Sequence, residues 1–469
     1  MIIDKLNSFK HSKFFAIIIG SGPAGVSVAL KLEEKGLDSL IIEAGSQNYS
    51  NESLNFLNGE VYGDHYSDLK TSRLRQFGGS SGHWGGTCSI LKESDFIDWP
   101  IKKSDIDYYQ KDAKKILNLK KKFYFDKFSE NLDLFNMQWS DVRFKDKYFE
   151  YIKKSKKIHL SLNTNFCYFE GSNGLVEKIV CKKKGYHKLT SKFYILSCGG
   201  IENSRSLLIS KKKNPKLFNF DLPIGKYYMD HPKHDIGEGI LDYNKFKKFL
   251  SQKKRGNFLP VVCENIQLSL NKDKIKNINI LNSAVNIDLE RVTPTSSIIH
   301  QASCVAPKFV QKLYNSISSQ DVYKVNLSML QEQFPSRDNL IKLSSKLDPN
   351  NLELPEVHWK KTKKLKNSAT FIINEISDIF IKEDIGRLSI NEDILMDKDY
   401  PLTLGNHQLG GTRMGISKSD SVVDKDLLVF GFKNLYVNGS SVFRTGGYAH
   451  PTFTIIQLAS RLGEHLSNA

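Results

Sequence analysis

Phe14-Phe15-Ala16-Ile17-Ile18-Ile19-Gly20-Ser21-Gly22-Pro23-Ala24-Gly25 is the stretch on which the reading of the fold turns. Its first six residues form a short apolar, isoleucine-rich run that suits a strand buried on both faces. The glycines then follow G-x-G-x-x-G spacing, and Val26 to Lys35 reads as an amphipathic helix ended by Gly36. In such a unit Gly20 permits the tight turn, Gly22 lets the backbone approach a pyrophosphate, and Gly25 lets the helix pack on the sheet. The helix N-terminus offers its free N–H groups to the phosphates. A second strand, Ser39-Leu40-Ile41-Ile42, leads to Glu43. That acid stands close to the ~20-residue spacing expected of the group that binds ribose hydroxyls. An acid there disfavours a 2′-phosphate, so FAD or NAD is expected rather than NADP. The glycines alone are a weak signal and could be a structural turn; strand, helix, strand and acid together make the nucleotide reading.

A second glycine-rich loop, Arg75-Gln76-Phe77-Gly78-Gly79-Ser80-Ser81-Gly82-His83-Trp84-Gly85-Gly86-Thr87, favours FAD over NAD. Such a loop can bring backbone close to a flat ligand, with Gly78, Gly79, Ser80, His83 and Trp84 as candidate contacts. A flexible surface turn is the plain alternative, and a tryptophan of the kind usually buried argues against it.

These two loops and four further blocks occur in order along nearly the whole chain. The others are Cys198-Gly199-Gly200-Ile201-Glu202-Asn203-Ser204-Arg205, Met229-Asp230-His231-Pro232, Asn406-His407-Gln408-Leu409-Gly410-Gly411-Thr412-Arg413-Met414-Gly415 and Gly446-Gly447-Tyr448-Ala449-His450-Pro451-Thr452-Phe453-Thr454. In this pattern the sequence resembles the glucose–methanol–choline oxidoreductase family, and most closely its sugar-oxidising branch of pyranose oxidases and gluconate or fructose dehydrogenases. The resemblance implies bound FAD, a histidine at position 83 able to carry a covalent bond to the flavin, and a catalytic histidine at position 407. It further implies a second catalytic position at His450, which is His or Asn in the family and more often Asn in the sugar branch. That departure leaves open which histidine is the base. Asn438-Gly439-Ser440 falls on the last pyrophosphate contact, with Asn438 in place of the usual acid.

Oxidising an alcohol removes a hydride from carbon and a proton from oxygen. Histidine, titrating near neutrality, is the natural acceptor of that proton. A second polar group can hold the same hydroxyl and favour the developing alkoxide. Taken singly, His407 or His450 would more often be a satisfied core or turn histidine; together in their blocks they are read as catalytic. Pro451 and Thr452 open a helix over Phe453 to Leu466, whose N-terminal dipole would favour negative charge on reduced flavin. His231, in its Met-Asp-His-Pro setting, is read as a structural turn histidine. Arg413 and Arg444 are read as structural contacts.

A chain of 469 residues suits two or three domains. The organisation expected is α/β, with a Rossmann-like FAD-binding domain that is discontinuous in sequence (1–100, 151–235 and 401–469). A helical connection at 101–150 and an inserted α+β substrate-binding domain at 236–400, built on an antiparallel sheet, complete it. Strand-like runs at 259–268, 278–289, 325–330 and 340–343 and an amphipathic helix over Asn367 to Lys382 support the insertion. The net charge of +17 comes from lysine clusters scattered between apolar segments, as at Lys120 to Lys122 and Lys211 to Lys213. Scattered clusters read as solvated faces rather than a nucleic-acid or membrane surface. The six cysteines never form C-x-x-C, which argues against a disulfide framework or a metal site. No run reaches the ~18 apolar residues of a membrane helix, and a cytoplasmic enzyme is expected.

The function these features imply is FAD-dependent oxidation of a CH–OH group in a sugar, glycoside or polyol, with no motif specifying the electron acceptor. An NAD(P)H-dependent flavin reductase or monooxygenase would want a second nucleotide motif or a redox C-x-x-C, and neither is present. A non-catalytic flavin-binding protein would leave two filled proton-handling positions without a role.

Overall fold

Strand Phe14–Ile19, buried along almost its whole length, is the middle strand of five. The order is Leu435–Val437, Ser191–Leu196, Phe14–Ile19, Ser39–Ile42 and Ile158–Ser161, and every neighbouring pair is parallel. Burial on both faces explains why these strands are continuous apolar runs rather than alternating ones. The computed structural model describes residues 1–4, 6, 14–252, 265–271, 280–291, 322–395 and 403–469.

The glycine turn joins this sheet to helix Pro23–Glu34. Gly20 has a φ of +102°, and a Cβ there would stand 2.5 Å from the Ser197 carbonyl oxygen. A Cβ on Gly25 would stand 2.0 Å from the Gly20 oxygen, so only glycine lets the helix close onto the turn. Helices Gly200–Lys213 and Thr452–Ser467 follow two other strands of the same sheet.

A second sheet is antiparallel throughout. It runs Gly386–Ile390, Pro232–Asp242, Val322–Gln331, Ser283–Arg291, Asn265–Leu270, Leu132–Phe135 and Phe125–Lys127, with Thr403–Leu404 also paired to Pro232–Asp242. Val325, Leu327 and Met329 point into a core of their own, against Ile372, Ile373 and Ile376 of helix Lys363–Lys382. The parallel sheet has a separate core, built around Ile17, Ile18, Leu40, Ile195 and Phe453.

Two expectations need correction. Residues 101–150 are not only helical, because strands Phe125–Lys127 and Leu132–Phe135 lie between the short helices and extend the antiparallel sheet. Both are too short for their pattern to show beside the lysines at 120–122. The strand at 340–343 is longer, Leu340–Leu347, and forms a separate hairpin with Glu353–Trp359, joined in parallel by Glu60–Gly63. The run at 259–268 lies largely outside the described residues, and a strand is described from Asn265.

Replacing Gly25 by alanine forces a methyl group into the Gly20 carbonyl. We expect a loss of about 1–3 kcal/mol, as for other overpacked sites, seen as a lower melting temperature. An unchanged melting temperature would refute the contact.

Candidate functional site

The carboxyl ends of three parallel strands and one face of the antiparallel sheet enclose a cavity of about 1020 Å³. That is at the upper end of the about 300–1,000 Å³ typical of ligand pockets. Gly20, Ser21, Glu43, Ser197 and Cys198 line it from the parallel sheet, and Asn286, Asp288 and Ser328 from the polar face of the antiparallel one. Helices Pro23–Glu34, Gly200–Lys213 and Thr452–Ser467 all begin on its wall. None of the three has a side-chain N-cap, at Gly22, Gly199 or Pro451. Their first-turn N–H groups and dipoles therefore favour negative charge in the cavity.

Of the expected cofactor contacts, Gly20, Gly22, Glu43, Gly79, Ser80, His83, Trp84, Gly439, Pro451 and Thr452 line this cavity. Gly25, Gly78 and Asn438 stand behind its wall. Asn438 is fully buried, donates from Nδ2 to the Ala24 carbonyl at 3.3 Å and accepts the Gly439 N–H at 2.8 Å, tying the last strand to the glycine helix. Glu43 braces the turn as well as lining the cavity. Its Oε2 accepts the Ser21 N–H and hydroxyl, at 3.1 and 2.6 Å, and its Oε1 accepts the Gly45 N–H at 2.7 Å. Burial still holds its pKa above the ordinary value, against those bonds. Trp84 is partly buried and donates from Nε1 to the Val142 carbonyl at 3.0 Å.

Thr403–Leu404 pairs antiparallel with Pro232 and Lys233, and Leu409 exchanges two 2.9 Å backbone hydrogen bonds with Met229. This lays the His407 loop against Met229-Asp230-His231-Pro232. The His407 and His450 rings come together, with centroids 4.9 Å apart, and both line the cavity. His231 joins them: its Nδ1 is 2.9 Å from Nδ1 of His407, and the rings meet edge to face at 86°. The turn expected at His231 is therefore corrected, because the residue is not in a turn and directly precedes strand Pro232–Asp242.

Asp230 holds this arrangement together. Its Oδ1 accepts the backbone N–H groups of His231 and His407 at 2.7 and 2.8 Å, and its Oδ2 accepts the Tyr66 hydroxyl at 2.7 Å. Full burial raises its pKa to about 6 in spite of those bonds. On the other side, Ser89 Oγ accepts the His450 N–H at 2.9 Å and lies 3.4 Å from Nδ1 of the same residue. Burial, then the charges of His450 and His231, push His407 well below the ordinary histidine value; burial and Lys233 lower His450 to about 4. Both rings are thus neutral at pH 7.

Sequence reasoning missed His231, Asp230, Tyr66 and Ser89. A polar Asp-His doublet ahead of a proline was visible, but its pairing with residues 405–409 was not. It also missed an ionic wall in which Arg73 and Arg205 grip Glu202 at 2.7 and 2.9 Å and Arg205 reaches Asp348 at 2.7 Å. Arg413 and Arg444 share Asp420, as structural contacts. Among the described residues, no cluster of His, Cys, Asp and Glu could hold a metal ion, and no helix is long and apolar enough to cross a membrane.

Residues 335–459 match the family model described as GMC oxidoreductase. The chain is 22% identical over 298 residues to the fructose dehydrogenase large subunit of Gluconobacter japonicus, covering 61% of this chain and 49% of that protein. It is 24% identical over 288 residues to 2-methyl-1,2-propanediol dehydrogenase of Mycolicibacterium austroafricanum, covering 60% of this chain and 49% of that one. The chain thus spans about half the length of these relatives. Its fold is similar to the crystal structure of pyridoxine 4-oxidase from Mesorbium loti, with a TM-score of 0.61, 12% identity, and coverage of 97% of this chain and 99% of that one. Formate oxidase gives a TM-score of 0.56 at 14% identity, covering 97% and 98%.

Beneath the His450 loop, Glu332 accepts the Gly447 N–H at 3.2 Å, and burial beside Asp95 raises its pKa to about 7. A carboxyl raised in the folded state stabilises only while protonated, so that contribution fades as pH rises from about 4.5 through 7. Glu332→Gln should therefore melt about 2–3 °C higher than wild type at pH 8, with the gap narrowing at pH 5. A gap that is equal at both pH values would refute the assignment.

Proposed function

We propose that the chain is an FAD-dependent oxidoreductase acting on a CH–OH group of a sugar, glycoside or polyol. One observation carries the reading: two neutral histidines, 4.9 Å apart, share a cavity with a glycine turn and three uncapped helix ends. The parallel sheet with its turn is read as a Rossmann-like FAD-binding domain assembled from 1–100, 151–235 and 401–469. The antiparallel sheet of 236–400 is read as the inserted substrate-binding domain. The names of the relatives, a fructose and a diol dehydrogenase, support the substrate class.

The fit to FAD is tested by the cavity itself. A Cβ on Gly22 would meet nothing within 4 Å, so the turn presents open backbone where a pyrophosphate would lie. Glu43 keeps further acceptor capacity for ribose hydroxyls. His83 lines the same cavity with neither ring nitrogen hydrogen-bonded among the described residues, free to pack against or be joined to the ring system. When bound, FAD would accept the hydride from the carbinol carbon at flavin N5.

The chain's residues do the rest. Asn286, Asp288, Ser328 and Lys233 offer polar contacts to a hydroxyl-rich substrate. Of His407 and His450, one accepts the hydroxyl proton and the other holds the oxygen, orienting it and favouring its negative charge. Because burial lowers both pKa values, the proton-accepting form is the one present at neutral pH. Lys233 beside His450 opposes a second positive charge.

The purified or FAD-reconstituted protein should be yellow and should bleach anaerobically with a sugar or polyol. His407→Ala should slow that bleaching by roughly 10²–10⁴-fold, the usual contribution of a positioned base. Colourless protein after reconstitution, or a variant within about tenfold of wild type, would overturn the proposal.

A further inference from the structure

Nδ1 of His231 and Nδ1 of His407 are 2.9 Å apart in a region where both rings are neutral. Two neutral imidazoles at that distance share one proton, so one Nδ1 donates and the other accepts. Two arrangements are possible. If His231 donates, His407 carries its proton on Nε2 and cannot accept another there. If His407 donates, its Nε2 keeps the lone pair.

The surroundings of His231 decide between them. The ring is fully buried, and its Nε2 faces the Gly446–Gly447 backbone; a Cβ on Gly446 would stand 2.9 Å from that nitrogen. The Gly446 and Gly447 backbone favours a proton on this ring, although no atom there reaches full hydrogen-bonding geometry. The Gly447 N–H is already given to Glu332, so a lone pair on Nε2 would lack that donor, whereas a proton there faces the Gly446 backbone. Nδ1 of His231 is then the acceptor.

We infer that His231 is a positioning residue: by accepting the Nδ1 proton of His407 it fixes the tautomer that leaves Nε2 of His407 as a lone pair. This rests on the proposed function, and it decides which histidine takes the proton. His450 is set the opposite way. Ser89 Oγ accepts the His450 backbone N–H, and with its hydroxyl proton turned to Nδ1, 3.4 Å away, Nε2 of His450 keeps a hydrogen to donate. One ring offers a lone pair and the other an N–H to the same substrate oxygen.

The partner of His407 is an uncharged ring. The nearby carboxylate, Asp230, is engaged by two backbone N–H groups and Tyr66 rather than by either imidazole. A carboxylate partner would raise the proton affinity of His407; a neutral imidazole orients it without doing so. The titratable groups facing His407 are His231 and His450, with Asp230 on its backbone and Lys233 beyond His450.

The test is two-bond ¹H–¹⁵N correlation on full-length protein labelled at histidine nitrogens, at pH 7, with the His407 signals identified by their loss in His407→Gln. Wild type should show His407 protonated on Nδ1. His231→Leu, which removes the acceptor, should return His407 to a mixture containing Nε2–H and lower kcat about 10–100-fold, the usual effect of losing an orienting partner, with KM little changed. His231→Asn, whose side-chain oxygen can accept the same proton, should restore the Nδ1–H form and most of kcat. An Nε2–H tautomer in wild type overturns the inference, as does an effect of His231→Leu on KM alone. If His231→Leu does not fold, the wild-type spectrum decides. Failure to bleach any alcohol would sink the proposed function while leaving the tautomer result standing.

Discussion

The close approach of three backbone segments at Gly20 is the constraint on which the rest of the molecule depends. A Cβ at this position would press on the Ser197 carbonyl, and one at Gly25 would press on Gly20 itself. Without those two hydrogens-for-side-chains, the first strand could not sit between Ser191–Leu196 and Ser39–Ile42 with its helix packed behind it. The sheet is assembled from segments as far apart as Phe14 and Val437, so this one turn sets where distant loops end. The three helix ends and the His450 loop all take their positions from it.

Electrostatics then shapes the cavity in two different ways. At one end, helix N-termini with no side-chain caps leave partial positive charge, each worth about 0.3–2 kcal/mol toward an anion. One cluster of full charges in that wall is paired: Glu202 lies between Arg73 and Arg205, and those cations outweigh burial to hold its pKa below the ordinary value. At the other end, burial keeps the histidines neutral rather than pairing them with acids. An imidazolium there would face His450, His231 and Lys233, so the neutral form is the one the site holds ready.

What the sequence made legible follows from locality. Strand Phe14–Ile19, helix Pro23–Glu34 and strand Ser39–Ile42 lie where apolar runs and glycines put them, because each is specified by its own residues. His407 and His450 stood out through their small-residue surroundings. The strands at 125–135 did not, since two short strands gain their stability from neighbours at 265–270 that no local pattern reveals. His231 was misread for the same reason. Its neighbours suggested a turn, while its actual partner, His407, lies 176 residues further along the chain. Gly25, Gly78 and Asn438 belong to the right motifs but support the cavity from behind, a distinction that depends on which face of each segment is covered.

Asp230 shows why support of this kind falls on residues without obvious chemistry. A buried carboxylate without a cation is costly unless donors surround it, and burial does raise its pKa to about 6. Two of its donors are the backbone N–H groups of His231 and His407, so the carboxylate fixes the two histidine backbones relative to each other. Tyr66 and Tyr228 extend the bonding behind it, and Gln333 accepts the Asp230 N–H at 2.8 Å while also accepting Trp359 Nε1. Had the carboxylate met an imidazole directly, it would have oriented that ring and made it more basic at once. Holding the backbones instead separates the two effects: geometry is imposed by a charge, and basicity is left to burial. A site arranged this way can keep a histidine both fixed and unprotonated.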